Sequence, residues 1–174
     1  MKLPALLFAA TLTLTSCADK ESAAPEAPKA APQAALPDSL FAPAAAADAK
    51  PLSEVRATAK AGDTVSFVGY IGGREEPFVE GRAMVLVADA SKAPACTDHC
   101  KTPWDACCAP PEDIAANSAT VQVVDAAGAP LKVGLMGQGN LDNGTTVTVT
   151  GKVREVGPAL FVVDAQTIAA AKTP

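Results

Sequence analysis

Four cysteines, Cys96, Cys100, Cys107 and Cys108, fall within one short stretch, and a fifth, Cys17, stands alone near the N-terminus. The stretch reads Cys96-Thr97-Asp98-His99-Cys100, then Lys101-Thr102-Pro103-Trp104-Asp105-Ala106, then Cys107-Cys108. Three chemistries compete for it. The first is disulfide formation, for which four cysteines allow three pairings. A bridge between the neighbours Cys107 and Cys108 would strain the peptide bond between them. Each is therefore expected to take its partner from Cys96 or Cys100, and both ways of doing so stay open. Either loop closes roughly 8–13 residues and would contribute about 2–3 kcal/mol, mostly as local order. The second chemistry is metal ligation. Cys96 and Cys100 have zinc-ligand spacing with His99, the chain's one histidine, between them. Three cysteines with His99, or all four cysteines, would complete a zinc centre. Copper(I), with its preference for soft sulfur, is the metal variant to test first. Adjacent cysteines seldom reach one ion without backbone distortion, which ranks metal below disulfides. Redox chemistry ranks third, because the Cys-x-x-Cys spacing of thiol oxidoreductases is missing.

Compartment decides among these, and the N-terminus bears on compartment. Met1-Lys2 is a minimal basic start, and residues 3–14 form an apolar run too short to span a bilayer, which takes about 20 residues. The run suits a secretory signal. Leu14-Thr15-Ser16-Cys17 resembles a bacterial lipobox. That resemblance implies that residues 1–16 are a lipoprotein signal peptide and that Cys17 becomes the acylated, palmitate-bearing first residue, tied to the membrane. Stable attachment takes more than one acyl chain. With Cys17 consumed, four cysteines remain in an oxidising space, where pairing is the default. Ala18 lacks the acidic residue that would hold such a protein at the inner membrane, so the resemblance leans toward the outer membrane. Residues 17–50 are mostly Ala and Pro with scattered charges. They are expected to form a disordered tether, since they cannot bury enough apolar surface to offset their ordering entropy.

Elsewhere the residues offer little catalytic chemistry. No nucleophile elbow, phosphate loop or metallopeptidase helix is written in the chain. Glu75, Glu76 and Glu80 share one turn-rich loop with Arg74 and Arg82, a pattern that suits a solvated loop better than paired catalytic carboxylates. The expectation is a protein that is not an enzyme. The whole chain carries a net charge of −5, and from Pro51 onward ten Lys and Arg face fourteen Asp and Glu. That balance argues against nucleic acid, which calls for a basic groove with stacking aromatics. Thr120 and Gln122 stand where such aromatics would be needed.

The elements that must position these residues begin near Pro51, where the composition turns Val-rich. Period-two alternation predicts strands over residues 64–71, 119–124 and 145–153. The continuously apolar run 84–87 suits a strand covered on both sides. A further strand is expected over 131–135, and the last covers 160–163 with an extension toward Ile168. Val65 and Phe67 share one face of the first, and Val147, Val149 and Val153 share one face of the strand over 145–153. Gly69 would tolerate a bulge or bend. Residues 54–60 read as a helix capped by Ser53. Residues 136–144 hold too many glycines for one.

The run from Gly62 through Ile71, the run from Thr145 through Val153, and Phe161 through Ile168 resemble the strands of a bacterial OB-fold. The resemblance implies an all-β domain over residues 51–170, a small five-stranded Greek-key barrel, with residues 93–114 as a cysteine-rich insertion. A seven-stranded sandwich is the alternative. The stretch Thr102-Pro103-Trp104-Asp105-Ala106-Cys107-Cys108 also resembles uncharacterised exported bacterial lipoproteins, which implies a family and no activity. The expected function is a noncatalytic periplasmic module of the cell envelope, holding a protein, peptide or glycan partner without a cofactor. Trp104, Arg74 and Arg82 are the candidate contact residues, although Trp104 is expected chiefly to pack. The alternative is a copper- or zinc-binding or thiol-redox protein using Cys96, His99, Cys100, Cys107 and Cys108.

Overall fold

A computed structural model describes residues 35–41, 46–92 and 101–171. Every described residue lies in one compact unit, Pro32–Pro174. The architecture is mostly β. Strands β1 (Lys50–Pro51), β2 (Thr64–Ile71), β3 (Met84–Ala88), β4 (Ser118–Gln122), β5 (Thr146–Gly157) and β6 (Leu160–Ala170) join in one mixed sheet of order β1-β2-β3-β4-β6-β5. Strand β2 also pairs with β5. Most pairs are antiparallel, while β1–β2 and β4–β6 run parallel. Two short helices, α1 (Leu52–Thr58) and α2 (Pro111–Ala116), accompany the sheet.

The core follows from alternation. Val147, Val149 and Val153 of β5 are buried, as are Phe67 and Ile71 of β2, Val85 and Val87 of β3, and Val121 of β4. Burying each such side chain contributes about 1.5–3 kcal/mol. Gly69 is not a bulge, since its register against β5 runs on without a break. It is a close crossing instead: a Cβ there would stand 2.6 Å from Val87 Cγ1 and 2.7 Å from Ala88 O. The register shifts lie between β5 and β6, at Thr150/Gly151 and at Val153/Glu155. At the first of them a Cβ on Gly151 would meet Asp164 O at 2.4 Å, so glycine is needed for the strands to approach.

Several expectations are corrected. Residues 131–135 form no strand. Leu131 and Leu135 are nonetheless buried, and the segment is held by Leu131 N–H to Val123 O (2.9 Å) and by Ala83 N–H to Leu131 O (2.9 Å). Asp125 Oδ1 accepts from the amides of Ala127 and Ala129, each at 2.9 Å, and so shapes the turn that leads in. The apolar pattern there supplied two anchors rather than a strand face. The ordered domain also begins before Pro51. A 3-10 turn, Asp38–Leu40, seals the core with Leu40, only 1% exposed, and Phe41 bridges Ile168. The sequence places these residues in the tether, because their Ala- and Pro-rich surroundings mask two or three apolar anchors. The cysteine-rich insertion expected over residues 93–114 runs at its end into a helix, Pro111–Ala116, with Pro at its start and Glu112 and Asp113 in its first turn. As expected, residues 136–144 hold no α-helix, only the 3-10 turn Gln138–Asn140.

Helix α1 starts two residues earlier than predicted, and Ser53 does not cap it. The cap comes from across the fold: Asp89, 2% exposed, accepts from Ser53 N–H at 2.6 Å, from Ser91 N–H at 2.7 Å and from the Ser91 hydroxyl at 2.6 Å. Burial works to raise the Asp89 pKa, but the hydrogen bonds from Ser91 and Ser53 outweigh it and hold the carboxyl below its ordinary value. The far side of α1 is tied down by Arg56, which donates to Ser118 O (2.8 Å), Gly157 O (3.1 Å) and Pro158 O (3.0 Å), and lies 5.6 Å from the Phe161 ring centroid.

Replacing Asp89 with Ala leaves the amide donors of Ser53 and Ser91 without their acceptor and should cost about 1–3 kcal/mol at neutral pH. Because the folded pKa is depressed, this stabilisation is complete above the ordinary carboxyl value, about 3.9, and fades as pH falls through the lower folded value. Urea denaturation of wild type and Asp89→Ala at pH 7 and pH 2.5 should show the gap narrowing in acid. An equal gap at both pH values would refute the charged cap.

Candidate functional site

The sheet delivers two loops to one place. Strand β2 ends at Ile71, whose N–H donates to Thr145 O (2.9 Å) and whose carbonyl accepts from Gly144 N–H (2.7 Å). The chain then enters the loop of residues 72–82. Gly72 N–H donates to Leu86 O at 3.2 Å, and Gly73 N–H donates to Trp104 O at 2.8 Å. Trp104 returns the contact by donating Nε1–H to Glu75 O at 3.0 Å. This reciprocal pair docks the described end of the cysteine segment on the loop after β2. Lys101 adds an ion pair with Glu75 at 3.1 Å, but both side chains are well exposed and it contributes at most about 1 kcal/mol.

The docking depends on Gly72. A Cβ there would lie 2.6 Å from Trp104 O and 2.3 Å from Tyr70 Cε2, so no larger residue fits without pushing the segment away. The half-buried Trp104 also faces Gly144, with Cε3 3.6 Å from where a Cβ would stand. Trp104 therefore packs between two loops, as expected. Ala106, 4% exposed, plugs the segment beneath it.

The other candidates scatter. Arg74 is exposed between Gly73 and Glu75, both hydrogen-bonded to Trp104, yet it lines a different feature, a cleft of about 290 Å³ between α2, the sheet and the start of β6. Arg82 sits at the far end of the loop, exposed, with its N–H turned back to Val79 O at 3.2 Å. Near that end, Glu76, Phe78 and Glu80 line an open cleft of about 470 Å³ together with Met136, which is 55% exposed. The three glutamates thus do not converge: Glu75 pairs with Lys101, while Glu76 and Glu80 border the second cleft.

Of the cysteines, Cys107 and Cys108 are exposed, and Cys108 is disulfide-bonded. The pairing scheme and the zinc or copper set also involve Cys96, His99 and Cys100, which lie outside the described residues, as do Cys17, the signal segment and most of the tether. Among the described residues, no three His, Cys, Asp or Glu side chains gather around a common point. No helix among them is long and apolar enough to cross a membrane.

Sequence reasoning missed one polar constellation. Gln122 is buried and donates Nε2–H to Asp164 Oδ1 (2.8 Å), and the Arg154 guanidinium grips the same carboxylate with Nε at 2.8 Å from Oδ1 and Nη2 at 2.8 Å from Oδ2. Gln122 therefore has a cation one residue away in the network, a neighbour that strand alternation alone does not reveal. The outward positions of Arg154 on β5 and Asp164 on β6 were its only signal.

No family model, curated protein or solved structure matches this chain. The reading of the site rests on its geometry.

Trp104 is the chain's single tryptophan, so its emission reports the docking directly. Gly72→Ala should red-shift that emission and cost about 1–3 kcal/mol through forced displacement. Gly134→Ala, where nothing lies within 4 Å of the new methyl, should change neither. Indistinguishable spectra for Gly72→Ala and wild type would mean that the segment is not seated on Gly72.

Proposed function

We propose that this chain is an exported lipoprotein whose domain is an OB-like barrel serving as a noncatalytic binding or scaffold module for a protein, peptide or glycan partner at the cell envelope. The barrel reading is supported by the strand pairings. Strand β2 pairs with β3, β3 with β4, β4 with β6, β6 with β5, and β5 again with β2. Such a circuit of five strands leaves few unpaired edges, which is the need that small barrels meet. The anchor reading rests on the order of basic start, apolar run, small residues and Cys17. In that setting the four remaining cysteines form two disulfides that brace the insertion, and the disulfide at Cys108 supports this over a four-thiolate centre.

The observation that carries the functional reading is the reciprocal docking of Trp104 on the loop after β2. It joins two irregular loops into one surface held by hydrogen bonds to backbone carbonyls, with Gly72 leaving room for the Trp104 carbonyl and Gly144 facing the aromatic ring. Loops fixed in this way on a rigid sheet are a common means of presenting a contact surface. Fold alone would not suggest it.

The test uses the native full-length protein recovered from cells. Palmitate labelling and membrane fractionation should place the wild type in the membrane fraction and release Cys17→Ser. Intact mass should fall short of the reduced chain by two hydrogens for each of two disulfides. Affinity capture from envelope extracts, with cross-linking, should recover a partner with wild type and lose it with Gly72→Ala. An unacylated cytosolic protein with free thiols, or capture unaffected by Gly72→Ala, would overturn the reading.

A further inference from the structure

The cleft bordered by Arg74 is built differently from the loop surface around it. Its walls come from regular elements: Leu86 on β3, Thr120 on β4, Ile114 on α2, and Leu160 and Phe161 at the start of β6. Leu86 and Thr120 are register partners, so the floor is sheet and not loop. Leu160 is 39% exposed although it lies beside Phe161, which is 1% exposed, and so it presents apolar surface to whatever enters. The rigidity is reinforced nearby, because Arg56 holds Gly157 O and Pro158 O, the turn that leads into Leu160.

Charge singles out Arg74. Among the described residues lining the cleft it is the one charged side chain, and no carboxylate lines it. The acidic neighbours in sequence are otherwise placed: Glu75 pairs with Lys101, and Glu112 and Asp113 stand in the first turn of α2 without lining the cleft. Among the described residues neither Arg74 nor Arg82 forms a salt bridge, whereas Arg56 and Arg154 are both engaged, and of the two unpaired guanidiniums only Arg74 borders this cleft. In an acidic domain, one unpaired guanidinium at the rim of an apolar cleft is a complementary site for an anion attached to an apolar group. A guanidinium matches a carboxylate in two parallel hydrogen bonds. The volume, about 290 Å³, is at the lower end for ligand pockets and admits a small fragment only.

We propose that this cleft receives the carboxyl terminus of a peptide ending in an apolar residue, with the terminal side chain against Leu86, Ile114 and Leu160 and the α-carboxylate on Arg74. The inference deepens the binding-module reading and rests on it, because it names the class of partner. It places recognition on the sheet face beside the docked loops, with Thr120 Oγ1 available to the peptide backbone.

The experiment measures binding to the full chain in detergent. The probes are acetyl-Gly-Gly-Leu and acetyl-Gly-Gly-Phe with free carboxylates, and the same peptides as C-terminal amides. The free acids should bind at least about tenfold more tightly than the amides, as expected when a charge-assisted pair is lost. Arg74→Met, which keeps the length of the stem, should lower affinity for the acids about tenfold and leave the weak amide binding unchanged. Arg82→Met removes the same charge outside the cleft and should have no effect. Trp104 emission checks that each variant remains folded. Equal binding of acid and amide, no binding of either, or equal losses from Arg74→Met and Arg82→Met would each overturn the proposal. Its failure is separable from that of the parent reading. If envelope capture depends on Gly72 but is not competed by excess peptide acid, the binding module stands and this site falls.

Discussion

The pairing of β2 with β5 is the contact on which the rest of the described structure depends. Seven residues of β2, Thr64 through Tyr70, align with seven of β5, Thr146 through Lys152, across about eighty intervening residues. Closing so long a loop carries an entropic cost that only a well-packed seam can offset. The seam meets it with Phe67 opposite Val149, both without exposed surface, and with Gly69 opposite Val147, where the missing side chain lets β3 approach. Breaking this ladder would release both strands that frame the candidate site.

Position then follows from connectivity. Because β2 ends hydrogen-bonded to Gly144 and Thr145, the loop that leaves it must pass beside the segment preceding β5. Trp104 fills the angle between them. The docking is specific without being strong: two neutral hydrogen bonds and a half-buried ring contribute a few kcal/mol at most. Its effect is to give two irregular loops a single conformation. The proposed carboxylate cleft differs in kind. Its floor is sheet and its wall a short helix, so its shape is inherited from the core, while its one charge comes from the loop.

Polar groups distribute the remaining stability unevenly. Asp89 and Arg56 attach α1 to the sheet from opposite sides, one capping its start and the other reaching three carbonyl groups. Arg154, Asp164 and Gln122 link β5, β6 and β4, from an exposed guanidinium to a buried amide. Neither arrangement is written as a motif. Asp89 follows a strand as any turn residue would, and its acceptors' partners, Ser53 and Ser91, lie on separate elements. By contrast, β2 was legible to the residue and β3 to within one, the first from its alternation and the second from its continuous apolar run, while β5 was legible in place but runs four residues beyond the Val153 end that its alternation marks. Residues 131–135 misled for the opposite reason: Leu131, Val133 and Leu135 alternate and pack against the core, but the backbone hydrogen bonds to Val123 and Ala83 stop at Leu131 and no ladder extends along the segment. Leu40 was overlooked because a single anchor within an Ala- and Pro-rich stretch has no period to detect.

Taken alone, the amino-acid order determined which faces of the strands turn inward, where glycines had to lie, and that Trp104 and the cysteines share one segment. Those properties are local: they depend on side-chain polarity and backbone freedom over a few residues. Tertiary structure decided which loops became neighbours, that Trp104 would seat on Gly72 and Gly144, and that Arg74 would border an apolar cleft while Arg82 would not. Such outcomes depend on contacts between residues tens of positions apart. Their energy appears only once β2 and β5 have come together.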